Sequence, residues 1–171
     1  MRISVRGTSG SGKTTFAGEL ARRLAVPHIE LDALHHGPNW SEPTLEEFRE
    51  RVAPLLAREG WVIDGNYEGK LGDLVTREAD TVVWLDLPLR LVLPRLWRRT
   101  VHRIRNDVEL WNGNRETWRG AFWGRDSLFG WAVRSHFRRR RELPRQVRPE
   151  RLVRLRSEEE IARWLERQPG E

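Results

Sequence analysis

The sequence predicts an α/β fold, a parallel sheet covered by helices on both faces. Three observations predict it. Short apolar runs alternate with helix-period patterns through most of the 171 residues, the rhythm of successive βαβ units. The run DTVVWLDLP (80–88) is almost continuously apolar at its centre, as a strand buried on both faces must be. The first run, RISV (2–5), leads straight into the glycine-rich GTSGSGKTT (7–15), a strand–loop–helix junction.

The remaining elements follow in order. KTTFAGELARRLA (13–25) reads as a helix with Phe16, Leu20 and Leu24 on one face, ended by Pro27. HIEL (28–31) is a short second strand that delivers Asp32. In residues 40–60, Thr44 and Glu47 have capping-box spacing, and Leu45, Phe48, Val52, Leu55 and Leu56 form a helical stripe. WVI (61–63) is a third strand ending at Asp64-Gly65, and GKLGDLVTREA (69–79) is expected to form one helix. RLVRLR (151–156) reads as a last strand at a sheet edge, because its arginines need solvent. SEEEIARWLERQ (157–168) closes the chain as a helix with Ser157 and Glu160 as a capping box. The stretch 103–127 breaks the rhythm with an Asn-Gly turn signal. It is expected to be an insertion over the carboxyl edge of the sheet, where such folds bind ligands, within a single domain spanning 1–171.

Composition narrows the partners. The chain has no cysteine, so it has no disulfide framework, thiolate zinc site or thiol nucleophile. No apolar run approaches the roughly 20 residues of a membrane helix. The glycine motif starts at Gly7, leaving no room for a signal peptide, and a cytoplasmic protein is expected. Net charge is +6, which favours phosphate-bearing partners, nucleotide or nucleic acid. Only two residues are lysine, Lys13 and Lys70.

Lys13 stands in the pattern G-x-x-x-x-G-K-[ST], filled here by Gly7, Gly12, Lys13 and Thr14. A triphosphate must be wrapped by main-chain N–H groups, and side chains would block that approach. Gly7, Thr8, Ser9, Gly10, Ser11 and Gly12 therefore form the expected cradle, with Lys13, Thr14 and Thr15 opening the helix whose N-terminal dipole adds to it. Lys13 reaches the β and γ phosphates as a mobile point charge, and the Thr14 hydroxyl ligates Mg²⁺.

With these residues placed, the chain resembles the P-loop kinases of the adenylate kinase type. It more closely resembles the small bacterial topology modulation proteins, through SGSGKTT, PHIELDALHHGPNW, WVIDGNY, DTVVWLDLP, ELWNGNRE and GRDS. The resemblance implies a three-layer P-loop NTPase fold with sheet order 2-3-1-4-5 and an arginine-rich lid. It implies that Asp64 holds Mg²⁺ through water and that Arg95 and Arg99, after Pro88, grip ATP. It also implies that Arg125, in Gly124-Arg125-Asp126, meets the transferred phosphate. The sequence departs from the pattern after Asp64-Gly65. Adenylate kinases continue Phe-Pro-Arg, with the arginine on the acceptor phosphate, and Asn66-Tyr67 stands here instead. Pro94 immediately precedes Arg95 and would kink a helix begun near Leu89.

Asp32, at the same edge, suits a base that orients or deprotonates an acceptor hydroxyl, or a cap on the following turn. Asp86 rivals Asp64 for the metal side, or caps its strand end. His35-His36 lack a carboxylate at ligand spacing and fit an acceptor pocket better than a metal site. Arg49 could meet an acidic acceptor or face solvent. Residues 95–141 hold thirteen arginines, no lysine and five tryptophans. Three readings compete: a lid over the triphosphate, a nucleic-acid surface, or a solvated arginine face over a tryptophan core. The sequence thus predicts an ATP- and Mg²⁺-dependent phosphotransferase acting on a small acceptor. Lys13, Asp32, Asp64, Arg95, Arg99, Arg125 and Arg134 are its catalytic candidates. The alternative is a nucleic-acid-binding protein that uses ATP as a switch.

Overall fold

The computed structural model describes residues 1–124 and 127–169. Five strands, β1 (Arg2–Gly7), β2 (His28–Glu30), β3 (Trp61–Asp64), β4 (Thr81–Leu85) and β5 (Leu152–Leu155), form one parallel sheet in the order β2-β3-β1-β4-β5. The helices between them are α1 (Lys13–Arg23), α2 (Leu31–His35), α3 (Leu45–Leu56), α4 (Glu68–Leu71), α5 (Leu74–Glu78), α6 (Leu89–Arg105), α7 (Trp118–Phe122) and α8 (Leu128–Gln146), with α9 (Glu158–Glu166) last. Short 3-10 turns lie at Pro38–Trp40, Trp111–Gly113 and Pro149–Arg151.

The sheet separates two apolar layers, as its alternating side chains require. Trp61, Ile63, Val82 and Trp84 pack with Phe48, Val52 and Leu143 on one face. Val5, Val62, Val83 and Leu85 pack with Phe16 and Leu20 of α1 on the other. The α3 capping box is present, with Thr44 Oγ1 accepting from Glu47 N and Glu47 accepting from Thr44 N.

Four details differ from the expectation. The second strand stops at Glu30, so Asp32 sits in the first turn of α2. The helix expected over 69–79 is two, α4 and α5, divided where Gly72 takes φ +62. Residues 103–105 are the end of α6 rather than the start of an insertion. Ser157 caps α9 by accepting from Glu160 N, but the Glu160 carboxylate reaches Arg156 N, so the box is not closed on the cap itself.

β5 is at the edge, yet Arg154 does not simply point to water. Its guanidinium lies 4.2 Å over the Trp84 ring and forks onto Asp86 Oδ2 at 2.9 and 2.5 Å. Arg140 of α8 donates to Asp86 Oδ1 at 2.8 Å. Asp86 is buried, so these bonds replace its hydration. Asp86→Ala is expected to lower unfolding stability by about 2 kcal/mol by leaving both guanidiniums unpaired, read from the urea midpoint at unchanged m-value.

Candidate active site

β1 ends at Gly7, and α1 begins at Lys13 with Gly12 at its N-cap. No side chain caps α1 and no acidic residue lies in its first turn, so its leading N–H groups remain open to an anion. Gly10 (φ +88) must be glycine for a second reason: a Cβ there would stand 2.9 Å from Leu96 Cβ and from Val92 O. Lys13 is buried to 8% exposure and forms no ion pair among the described residues.

The loop is held from two directions. Asn66 Nδ2 donates to Gly7 O at 2.7 Å, and its Oδ1 accepts from Gly7 N at 3.2 Å. Thr8 Oγ1 accepts from Arg139 at 3.2 Å and lies 3.1 Å from His136 Nδ1. The Thr8 hydroxyl can accept from Arg139 and still donate to His136 Nδ1 when that nitrogen carries no proton. Burial, then the Arg140 charge, lowers the His136 pKa and keeps the ring neutral for that role.

Asp64 closes β3 opposite Val5 of β1. It is fully buried. One carboxylate oxygen lies 3.3 Å from His28 Nε2, and the other has no partner. Asp32 faces the same edge, and its Oδ1 accepts from Tyr67 Oη at 2.7 Å. Burial, and then the Asp32 charge, raise the Tyr67 pKa far above its ordinary value, so the phenol stays a donor. His36 Nε2 is 3.4 Å from the same hydroxyl. Its neighbour His35 is buried, packed edge-on against Phe48, with Nε2 at 2.6 Å from Lys70 Nζ. Burial, then the Lys70 charge, pull its pKa to about 4.

The Trp111–Asn114 turn packs on this side of the site. Asn112 donates to His36 O, and Asn114 donates to Gly37 O and accepts from Trp40 N. Trp111 stacks on His36 and donates to Glu30. Trp97 and Trp118 touch Phe122 but remain about half exposed, and Trp123 is more exposed still.

The sequence-predicted arginines are dispersed. Arg99 is partly buried with Nε unpartnered, and burial, then the Arg103 charge, lower its pKa. Arg95 pairs with Glu158 of α9. Arg134 is exposed on α8. Arg125 lies outside the described residues. Asp86 is taken by Arg140 and Arg154, which corrects its candidacy for the metal side. Arg49 is exposed on α3. Arg139 and His136 carried no signal in the sequence, Asn66 and Tyr67 stood there only as a departure from the adenylate kinase pattern, and Lys70 stood out only by the scarcity of lysine.

The sheet order and the glycine loop at the head of α1 define a P-loop kinase fold. Solved structures agree: a shikimate kinase from Bacteroides thetaiotaomicron matches with TM-score 0.61 at 16% identity, over 98% of this chain and 95% of that one. A deoxyadenosine kinase from M. mycoides with bound dATP matches with TM-score 0.58 at 13% identity, over 97% and 96%. Among curated proteins, the cytidylate kinase of Pyrococcus furiosus is 30% identical over 111 residues, 57% of this chain and 56% of its own length. That of Pyrococcus horikoshii is 27% identical over the same shares. The chain thus spans about half the length of the curated relatives it matches. No family model matches it.

Asn66→Ala is expected to weaken nucleotide binding about tenfold, the cost of an unclamped loop, while the fold persists; titration calorimetry checks it. The low His35 pKa sets a pH dependence. Between about pH 6.5 and 4 the unfolded chain binds a proton at His35 that the folded chain does not, so stability falls as pH falls through that window. His35→Asn should flatten that part of the stability–pH curve, measured by urea unfolding across the range.

Proposed function

We propose that this protein is a P-loop kinase that transfers the γ-phosphoryl group of ATP to a small acceptor, a nucleotide, nucleoside or hydroxylated metabolite. One observation carries the reading: an uncapped glycine cradle with buried Lys13 shares a sheet edge with two carboxylates in different environments, Asp64 and Asp32. The cytidylate kinases similar to it, which act on a nucleotide by name, support the class.

The residues divide the work. Gly7 to Thr15 and Lys13 take the triphosphate. The unpartnered buried oxygen of Asp64 fits a hydrated Mg²⁺, with the Thr14 hydroxyl as its direct ligand; that ion would neutralise charge on the β and γ phosphates. Asp32, fixed through one oxygen by Tyr67, has the other for the acceptor hydroxyl. It takes the proton as the acceptor oxygen bonds to the γ-phosphorus and the bond to ADP breaks. Arg99 and Arg139, neither of which has a carboxylate partner among the described residues, supply charge to the transferred group. Arg125 and Arg134 belong to the same task from the segment after α7, and Arg95 joins it only on leaving Glu158. The reading takes the protein to be cytoplasmic, where ATP is the ready donor. The cytidylate kinases similar to this chain give no support to the nucleic-acid alternative.

Lys13→Ala should abolish transfer with circular dichroism unchanged. Asp32→Asn should lower kcat by about 10²–10⁴ and leave ATP affinity intact. ADP release with CMP, deoxyadenosine and shikimate as acceptors measures both. Absence of transfer to any nucleoside, nucleotide or hydroxylated metabolite by the wild-type protein would overturn the reading.

A further inference from the structure

Of 31 basic side chains, 29 are arginine. Arginine serves even on open helix faces, as at Arg138 and Arg141 of α8, where lysine would do as well. The first lysine, Lys13, stands where a compact, mobile charge must meet phosphate. The second is Lys70, in α4, and its surroundings ask for the same explanation.

The Lys70 ammonium lies 2.6 Å from His35 Nε2 and 2.6 Å from Glu42 Oε2. His35 is buried and neutral, so its Nε2 accepts and the ammonium donates. An ammonium has three N–H donors at tetrahedral angles. His35 takes one and Glu42 another, and the third has no protein partner among the described residues. A planar guanidinium would not offer that geometry. The two anchors differ in kind: His35 is 2% exposed and immobile, whereas the Glu42 side chain is 57% exposed, on the loop before α3. An exposed ion pair is weak and readily exchanged. The His35 ring centroid is 4.7 Å from that of Tyr67, whose hydroxyl holds Asp32, so two aromatic residues, His35 and Tyr67, link the ammonium to the carboxylate that orients the acceptor.

We propose that Lys70 is a seat for an anionic group on the acceptor, a phosphate or a carboxylate, and that Glu42 occupies the seat until the acceptor displaces it. The word acceptor rests on the kinase reading above; the anion seat does not. His35 aims the ammonium, and the acceptor's anion takes the place of the Glu42 carboxylate while its hydroxyl lies toward Asp32.

The test is calorimetric and needs no turnover. CMP against cytidine, and shikimate against methyl shikimate, are titrated into the protein with Mg²⁺ and a non-hydrolysable ATP analogue. At least one anionic member should bind, about tenfold or more tighter than its uncharged counterpart; which pair shows the gap separates phosphate from carboxylate. Lys70→Met should weaken that binding about tenfold, Lys70→Arg should restore it only in part, and Glu42→Gln should tighten it. Thermal unfolding checks that each variant is folded. A purely structural strut would instead make Lys70→Met and Glu42→Gln lose binding together. That result, equal binding of charged and uncharged members, or binding of neither, overturns the proposal. Lys70-dependent anion binding without phosphoryl transfer would sink the kinase reading and leave the seat; transfer to an uncharged acceptor, unchanged in Lys70→Met, would sink the seat alone.

Discussion

The carboxyl edge depends on one pairing, Val5 of β1 opposite Asp64 of β3. Beyond that rung the ladder stops, and Gly7 would be left with a free N–H and a free C=O. The Asn66 side chain meets both, acting as one more residue of β3. The cradle therefore leaves the sheet from a pinned Gly7 rather than from a frayed strand end. A slip of one residue would turn Asp64 to the opposite face and take Asn66 out of reach. The same short run then extends outward: Asp64 keeps a bare oxygen, Gly65 O accepts from Arg6 at 2.6 Å, and Tyr67 holds Asp32. Four consecutive residues thus tie the phosphate loop to the acceptor side.

The arginines divide by what they meet. Arg6, Arg103 and Arg154 have carboxylates within ion-pair distance and stabilise the frame. Among the described residues, Arg139, buried to 8% exposure, donates to the Thr8 hydroxyl, and the Arg99 Nε has no acceptor. Burial lowers the Arg139 pKa to about 10, which still leaves it charged at neutral pH. The charges of Glu68 and Asp86 act on Arg139, and those of Glu116 and Asp32 on Arg99, without a direct ion pair among the described residues. Arg139 reaches the glycine loop through Thr8, where an anionic ligand would add a direct counter-charge.

The frame was legible in the sequence because its signals are local. The glycine loop, the apolar centre of β4, the Thr44–Glu47 cap and the edge position of β5 all follow from neighbours a few residues apart. What escaped was set by distance along the chain. Asn66 meets Gly7 across 59 residues, and Arg139 meets Thr8 across 131; no periodicity carries such information. Asn66-Tyr67 was visible only as a departure from a pattern, although both side chains have defined work. The split of 69–79 hinged on a single backbone choice at Gly72, where helix propensity on both sides was adequate.

The arginine–tryptophan stretch also turns out to be two structures rather than one. Its first half is fixed: Glu109 bridges Arg115, and Asn112 takes φ +57. Asn114, buried to 3% exposure, accepts from Trp40 N and donates to Gly37 O and Trp111 O. A buried amide satisfied this fully is expensive to withdraw, so this half behaves as a fixed wall. It secures the backbone of His36 and Gly37, next to the histidine that contacts Tyr67. The second half, α7 and the start of α8, meets α6 through the Trp97–Phe122–Phe129 aromatic cluster.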